Sequence, residues 1–268
     1  MSETGLRARW TALRRPEQAA LVAYLTAGYP DRATSLAALR LAARHADILE
    51  VGVPFSDPVA DGPVIQRASF DALAGGMSLR GTLDLIAEAD LDCPVVLFSY
   101  LNPLLRYGFD RLLIDAATVG VDGLLVTDLP AGADPALEES VRGSDLDLIP
   151  LVAPTTSSPR VAEIDASATA FLYLIGRLGV TGTGTPPSAE LEAIVRRVRA
   201  NARRPLAVGF GIATPAQVRA VASCADGVVV GSALVDALGR GGVSALDALL
   251  TELTPACVRA AEAGASRV

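Results

Sequence analysis

Residues 47–52 read Asp47-Ile48-Leu49-Glu50-Val51-Gly52, a short apolar run with one carboxylate inside it. Along an extended strand successive side chains alternate faces, so Ile48, Glu50 and Gly52 share one face and Leu49 and Val51 the other. Leu49 and Val51 suit packing against helices. Glu50 then points into an enclosed interior, near the C-terminal end of its strand. Working outward, similar runs recur at 20–25, 94–99, 123–127, 146–152, 170–175, 206–209 and 227–231. Amphipathic stretches follow them at 33–44, 79–89, 109–119, 135–142, 159–166, 189–202, 215–223 and 243–251. Eight such strand–helix units in 268 residues predict an α/β fold, a (β/α)8 barrel occupying 1–268 as one domain. An open doubly wound sheet is the alternative, but the Gly-x-Gly-x-x-Gly turn expected after its first strand is absent. Extra helices are predicted at 4–13 across the barrel bottom, at 63–74 after the second strand and at 255–263 after the eighth unit.

Composition narrows the chemistry. With 51% hydrophobic residues the chain is not intrinsically disordered, and a net charge of −7 argues against nucleic acid or an acidic membrane surface as partner. All 23 basic residues are arginine. Without lysine there is no Schiff-base aldolase, no internal pyridoxal-phosphate aldimine and no P-loop lysine. A single histidine, His45, excludes a histidine-rich metal cage, and its place at a helix end reads as surface. Cys93, Cys224 and Cys257 are far apart and odd in number, which suits core filling in a reducing cytoplasm rather than zinc or disulfides. The first ten residues do not read as a signal peptide, and no run is long and apolar enough to span a membrane.

Burying a carboxylate costs several kcal/mol unless it is paired or protonated. Glu50 is therefore either one half of a Glu–Arg bridge or a general acid/base whose pKa burial raises toward neutrality. The loop after its strand, Pro54-Phe55-Ser56-Asp57-Pro58-Val59-Ala60-Asp61-Gly62-Pro63, is stiffened by three prolines and carries two more carboxylates. Asp61 either caps the following helix or brings a second carboxylate to the mouth, and Asp57 either shapes a turn or joins it. Gly209-Phe210-Gly211-Ile212 and Gly231-Ser232-Ala233 end the last two strands, where barrels commonly bind phosphate through backbone N–H groups and a helix N-terminus. The glycine-rich stretch 180–188 after the sixth strand reads as a closing loop, while Tyr100 and Tyr173 fit either the core or an aromatic pocket.

Read in order, several stretches carry a family likeness: Thr26-Ala27-Gly28-Tyr29-Pro30-Asp31, the run 49–66, Tyr100-Leu101-Asn102-Pro103 and Val126-Thr127-Asp128-Leu129-Pro130. Arg177-Leu178-Gly179-Val180-Thr181-Gly182 and the two glycine-ended strands continue it to about residue 235. The chain resembles the tryptophan synthase alpha subunit family, whose fold is the TIM barrel. The resemblance implies retro-aldol cleavage of indole-3-glycerol phosphate to indole and glyceraldehyde 3-phosphate, with no cofactor or metal. It implies Glu50 as the acid that protonates indole C3 and Asp61 as the acceptor of the indole N–H. Tyr24, where the family often has phenylalanine, would border the indole pocket with Tyr100, and Tyr173 would pack beside the acid. Thr181, Gly182, Phe210, Gly211, Gly231 and Ser232 match positions around the substrate and its phosphate. Asp57, Asn102 and Pro103 match segments that face a pyridoxal-phosphate-dependent beta subunit in an alpha2beta2 heterotetramer. Gly176 departs from the serine or alanine more usual there. Three alternatives stay open at this point: a stand-alone indole-releasing lyase, another phosphosugar barrel enzyme such as an isomerase, and a non-catalytic module that activates a partner.

Overall fold

A computed structural model describes residues 5–13, 17–175, 188–209 and 211–259. Nine strand segments among them form one parallel sheet: β1 Ala20–Thr26, β2 Ile48–Gly52, β3 Val95–Ser99, β4 Gly123–Val126, β5 Asp147–Leu148, β6 Leu151–Val152, β7 Leu172–Ile175, β8 Leu206–Gly209 and β9 Gly227–Val230. Their order is β5-β4-β3-β2-β1-β9-β8-β7-β6. The two ends of that order are halves of one segment. Pro150 between them has no N–H to give, so the strand expected at 146–152 is split there. The ladder nevertheless runs through the break: Ile149 N–H donates to Leu124 O at 3.0 Å, and Tyr173 N–H donates to Pro150 O at 3.1 Å. The sheet closes on itself as a TIM barrel.

Alternation sorts the strand side chains as the sequence predicts. Leu21, Ala23, Leu49, Val51 and Leu97 pack outward against the helices, and Val22, Ile48, Val96, Leu125 and Ile149 fill the barrel. The helix Leu79–Ala89 shows why the outer layer forms. Ser78 caps it by accepting the Gly81 N–H at 3.1 Å, and Leu79, Leu83 and Ile86 recur on one buried face. Helix Gly5–Leu13 plugs the N-terminal end with Leu6 and Trp10, the Trp10 ring lying 5.2 Å from that of Phe171. Glycine makes room for this plug: a Cβ on Gly123 would lie 2.5 Å from Leu6, and one on Gly227 would lie 2.7 Å from Trp10.

Helix Pro63–Ala74 follows β2 as expected. A seven-residue helix at Leu101–Tyr107 was not expected; its Pro103 sits in the first turn, where a missing N–H costs nothing. Ser232–Leu253 begins directly after β9 and bends at Gly242, whose φ of 64° only glycine adopts easily. The helix predicted at 243–251 is its second half. The helix predicted at 255–263 is corrected: Thr254–Cys257 forms a 3-10 turn, and residues from 260 onward lie outside those described.

Candidate active site

Glu50 sits inside the barrel with no solvent exposure, and neither carboxylate oxygen has a hydrogen-bond partner. The arginine bridge that the sequence left open is not formed. Burial alone pushes the carboxyl up to about 8, so the group is protonated at neutral pH. Its register partner on β1 is Tyr24, and its partner on β3 is Val96.

Asp61 stands on the loop above. It does not cap the following helix, whose N-cap is Gly62 with no side-chain bond. Its Oδ2 instead accepts the Tyr100 hydroxyl at 3.0 Å, and that hydroxyl accepts the Ala60 N–H at 3.0 Å. Tyr100 therefore holds the tip of the loop to β3 from below. Burial raises Asp61 to about 6 against the lowering effect of the Tyr100 hydrogen bond. Two carboxyls at one mouth thus differ: at pH 7 Glu50 is mainly protonated and Asp61 mainly ionised.

A cavity of about 600 Å³ opens over the C-terminal ends of the strands. Tyr24, Asp61 and Tyr173 line it together with Gly211, Gly231 and Ser232. Gly211 has φ +66° with open space where a Cβ would stand, and Gly231 is the N-cap of Ser232–Leu253. The start of this helix, with Gly231 and Ser232 on the cavity wall, faces this side of the cavity, and a helix N-terminus is an arrangement that holds anions without lysine. Tyr100 is buried and is not among the lining residues, so its place is behind Asp61 rather than on the cavity wall. Phe98 and Leu151 do line the cavity and were not singled out in the sequence. The alternation that puts Val96 inside the barrel puts Phe98 there too, which was the available signal.

Asp57 is exposed on the outer side of the same loop, where it accepts the Ser56 hydroxyl at 2.6 Å and shapes the turn through its carbonyl. Asn102 and Pro103 line a separate hollow of about 570 Å³ with Pro54, Phe55 and Ser56. His45 lies at its helix end with Nε2 3.0 Å from Asp247. Thr181, Gly182 and Phe210, with Gly176, Arg177 and most of the stretch 180–188, lie outside the described residues.

A closed parallel barrel with a sealed acid and an ionised carboxylate at the same mouth belongs to the class of barrel proteins equipped for acid–base chemistry on a small ligand. Comparison with known proteins narrows the class to one family. The family profile for the tryptophan synthase alpha chain matches residues 10–260. The tryptophan synthase alpha chain of Caulobacter sp. (strain K31) is 45% identical over 240 residues, covering 88% of this chain and 87% of that relative. That of Gluconacetobacter diazotrophicus is 44% identical over 256 residues, covering 91% and 93%. Among solved structures, Mycobacterium tuberculosis tryptophan synthase superposes with a TM-score of 0.88 at 37% identity, covering 97% of this chain and 100% of that one. The alpha subunit from Legionella pneumophila gives 0.87 at 34% identity, covering 95% and 98%. The chain belongs to the tryptophan synthase alpha chain family.

Proposed function

We propose that Glu50 and Asp61 carry out the cleavage of indole-3-glycerol phosphate to indole and glyceraldehyde 3-phosphate, the lyase reaction of tryptophan biosynthesis. The observation that carries the reading is a fully buried glutamate whose two oxygens have no partner. Such a group keeps its proton at neutral pH and has no salt bridge to break before giving it away. Glu50 delivers the proton to indole C3, which makes the ring a cationic indolenine. The resulting carboxylate then takes the proton of the adjacent glycerol hydroxyl. The C–C bond breaks, its electron pair returns to the ring, and the oxygen becomes the aldehyde. Asp61 accepts the indole N–H and offsets the positive charge as it forms. The phosphate sits at Gly211, Gly231 and Ser232, with Tyr24 and Tyr173 beside the indole. Thr181, Gly182 and Phe210 belong to the same substrate contacts. No cofactor or metal enters these steps.

The test is release of indole from the purified chain with saturating substrate. Glu50→Gln lowers kcat by about 10²-fold or more while leaving substrate affinity nearly intact. Wild-type kcat/KM is bell-shaped in pH. It falls below about 6 as Asp61 gains a proton and above about 8 as Glu50 loses its own. A Glu50→Gln variant with near wild-type turnover removes Glu50 from the acid role.

The family implies a beta-subunit partner. The finer reading is an alpha2beta2 heterotetramer in which a pyridoxal-phosphate-dependent beta subunit receives the indole, with Asp57, Asn102 and Pro103 on the shared face. Exposed Asp57 and Val59, on the loop that also carries Asp61, support it because docking there bears on the catalytic loop. Adding the beta subunit raises indole production in this reading; full activity alone points to the stand-alone lyase. One domain working in the cytoplasm completes the proposal. No helix among the described residues is long and apolar enough to cross a membrane.

A further inference from the structure

Glu50 is fully buried and does not line the cavity, although its register partner Tyr24 does. The seal over Glu50 is built on Gly52, two residues further along the same strand and on the same face. A Cβ on Gly52 would lie 2.2 Å from the Tyr24 hydroxyl and 2.6 Å from its Cζ, so the bare glycine is what lets the Tyr24 ring lean from β1 across β2. On the far side it meets Phe98, the register partner of Gly52 on β3. The two rings stand edge to face, 5.1 Å apart and at 73°. Both line the cavity, whereas Glu50 beneath them does not. Tyr24 therefore spans from the strand on one side of Glu50 to the strand on the other, on the mouth side of the carboxyl.

We propose that Tyr24 and Phe98 are a water gate over Glu50. They are positioning residues that keep its carboxyl dry in the empty protein and leave the indole ring, once bound, as the nearest base the proton can reach. This rests on Glu50 being the acid. The aromatic rings do the work; the Tyr24 hydroxyl is already turned to Thr26, 3.4 Å from its Oγ1. Among the described residues, the titratable groups that feel Glu50 are Tyr24 from β1 and Tyr173 from β7, and both also feel Asp61 on the loop above. None of these is a cation that would favour the carboxylate, so among the described residues nothing stabilises the charged form and entry of water is the remaining means of doing so.

The test titrates Glu50 itself, without substrate, so that it does not depend on turnover. Glutamate side-chain carboxyls are labelled with carbon-13, and the Glu50 resonance is assigned by its loss in Glu50→Gln. Phe98→Ala opens the roof and lowers the Glu50 midpoint by about one pH unit or more. Phe98→Val carries the same test with a smaller shift if the alanine variant does not fold, and Phe98→Leu restores most of the wild-type value. Tyr24→Phe keeps the ring and leaves the midpoint within about 0.3 unit. A folded Phe98→Ala or Phe98→Val protein with an unmoved midpoint overturns the gate. So does a Tyr24→Phe shift as large as that of Phe98→Ala, which would assign the effect to the hydroxyl. If the midpoints shift as stated in a protein that never cleaves indole-3-glycerol phosphate, the gate stands and the acid role falls.

Discussion

Asp47 immediately precedes the strand Ile48–Gly52 and Glu50 lies at its centre, and the barrel buries both on opposite terms. At the N-terminal end Asp47 takes the Arg9 guanidinium at 2.7 Å and the Leu21 N–H at 2.9 Å. Asp147, fully buried at the same end, takes Arg7 twice, at 2.9 and 2.7 Å. Inside the barrel Glu50 is fully buried too and meets no donor. A buried carboxylate that meets arginine and backbone donors ties the plug helix to the strands. Without donors the same group is a weak acid held in reserve. What separates the two is the company each keeps, since both are buried.

The largest effect expected of this contrast is on stability. Glu50 rises from 4.5 to about 8 on folding, so the folded state binds its proton more tightly than the unfolded chain does. Its contribution is intact below pH 4.5 and is lost as pH rises through 8. That loss is on the order of a few kcal/mol. Glu50→Gln removes it, so the variant matches wild type near pH 4 in urea unfolding and is the more stable of the two at pH 9. Parallel stability curves would mean that Glu50 is paired in solution.

The second way to break the contrast is to treat the bottom like the mouth. Asp147→Asn takes away the charge that both Arg7 donors face and costs about 2 kcal/mol at pH 7. It leaves kcat per folded molecule unchanged, because Asp147 lies at the far end of the barrel from the cavity. A change in kcat beyond about twofold would show that the two ends are coupled. The smallest expected effect comes from Tyr100→Phe. Losing the hydroxyl removes the hydrogen bond that holds Asp61 down, so the acid limb of kcat/KM moves to higher pH. Turnover at pH 7 falls several-fold, about tenfold at most. An unmoved limb would leave Asp61 independent of Tyr100.

Much of this architecture was legible in the residues. Alternation along 47–52 aimed Glu50 inward, and the spacing of eight apolar runs gave the barrel, because both signals are local and periodic. The split at Pro150 was missed, because the apolar run 146–152 reads as one strand. Asp61 was harder: capping the helix and lining the cavity call on the same side chain at the same helix start, and the hydrogen bond that holds it at the cavity comes from Tyr100, 39 residues away. The helix Leu101–Tyr107 is too short for periodicity to show. The Tyr24–Phe98 roof joins strands that do not neighbour one another, through a glycine on the strand between them. No pattern along the chain encodes that meeting, which appears only when the three strands lie side by side.

The account rests on Glu50 as the source of the proton that reaches the ring, and cleavage in heavy water tests this most directly. Wild-type protein releases indole carrying one deuterium at C3, measured by mass after the ring nitrogen has exchanged back, while Glu50→Gln releases almost none in the same time. Deuterated indole leaving Glu50→Gln at close to the wild-type rate would show that another group supplies the proton.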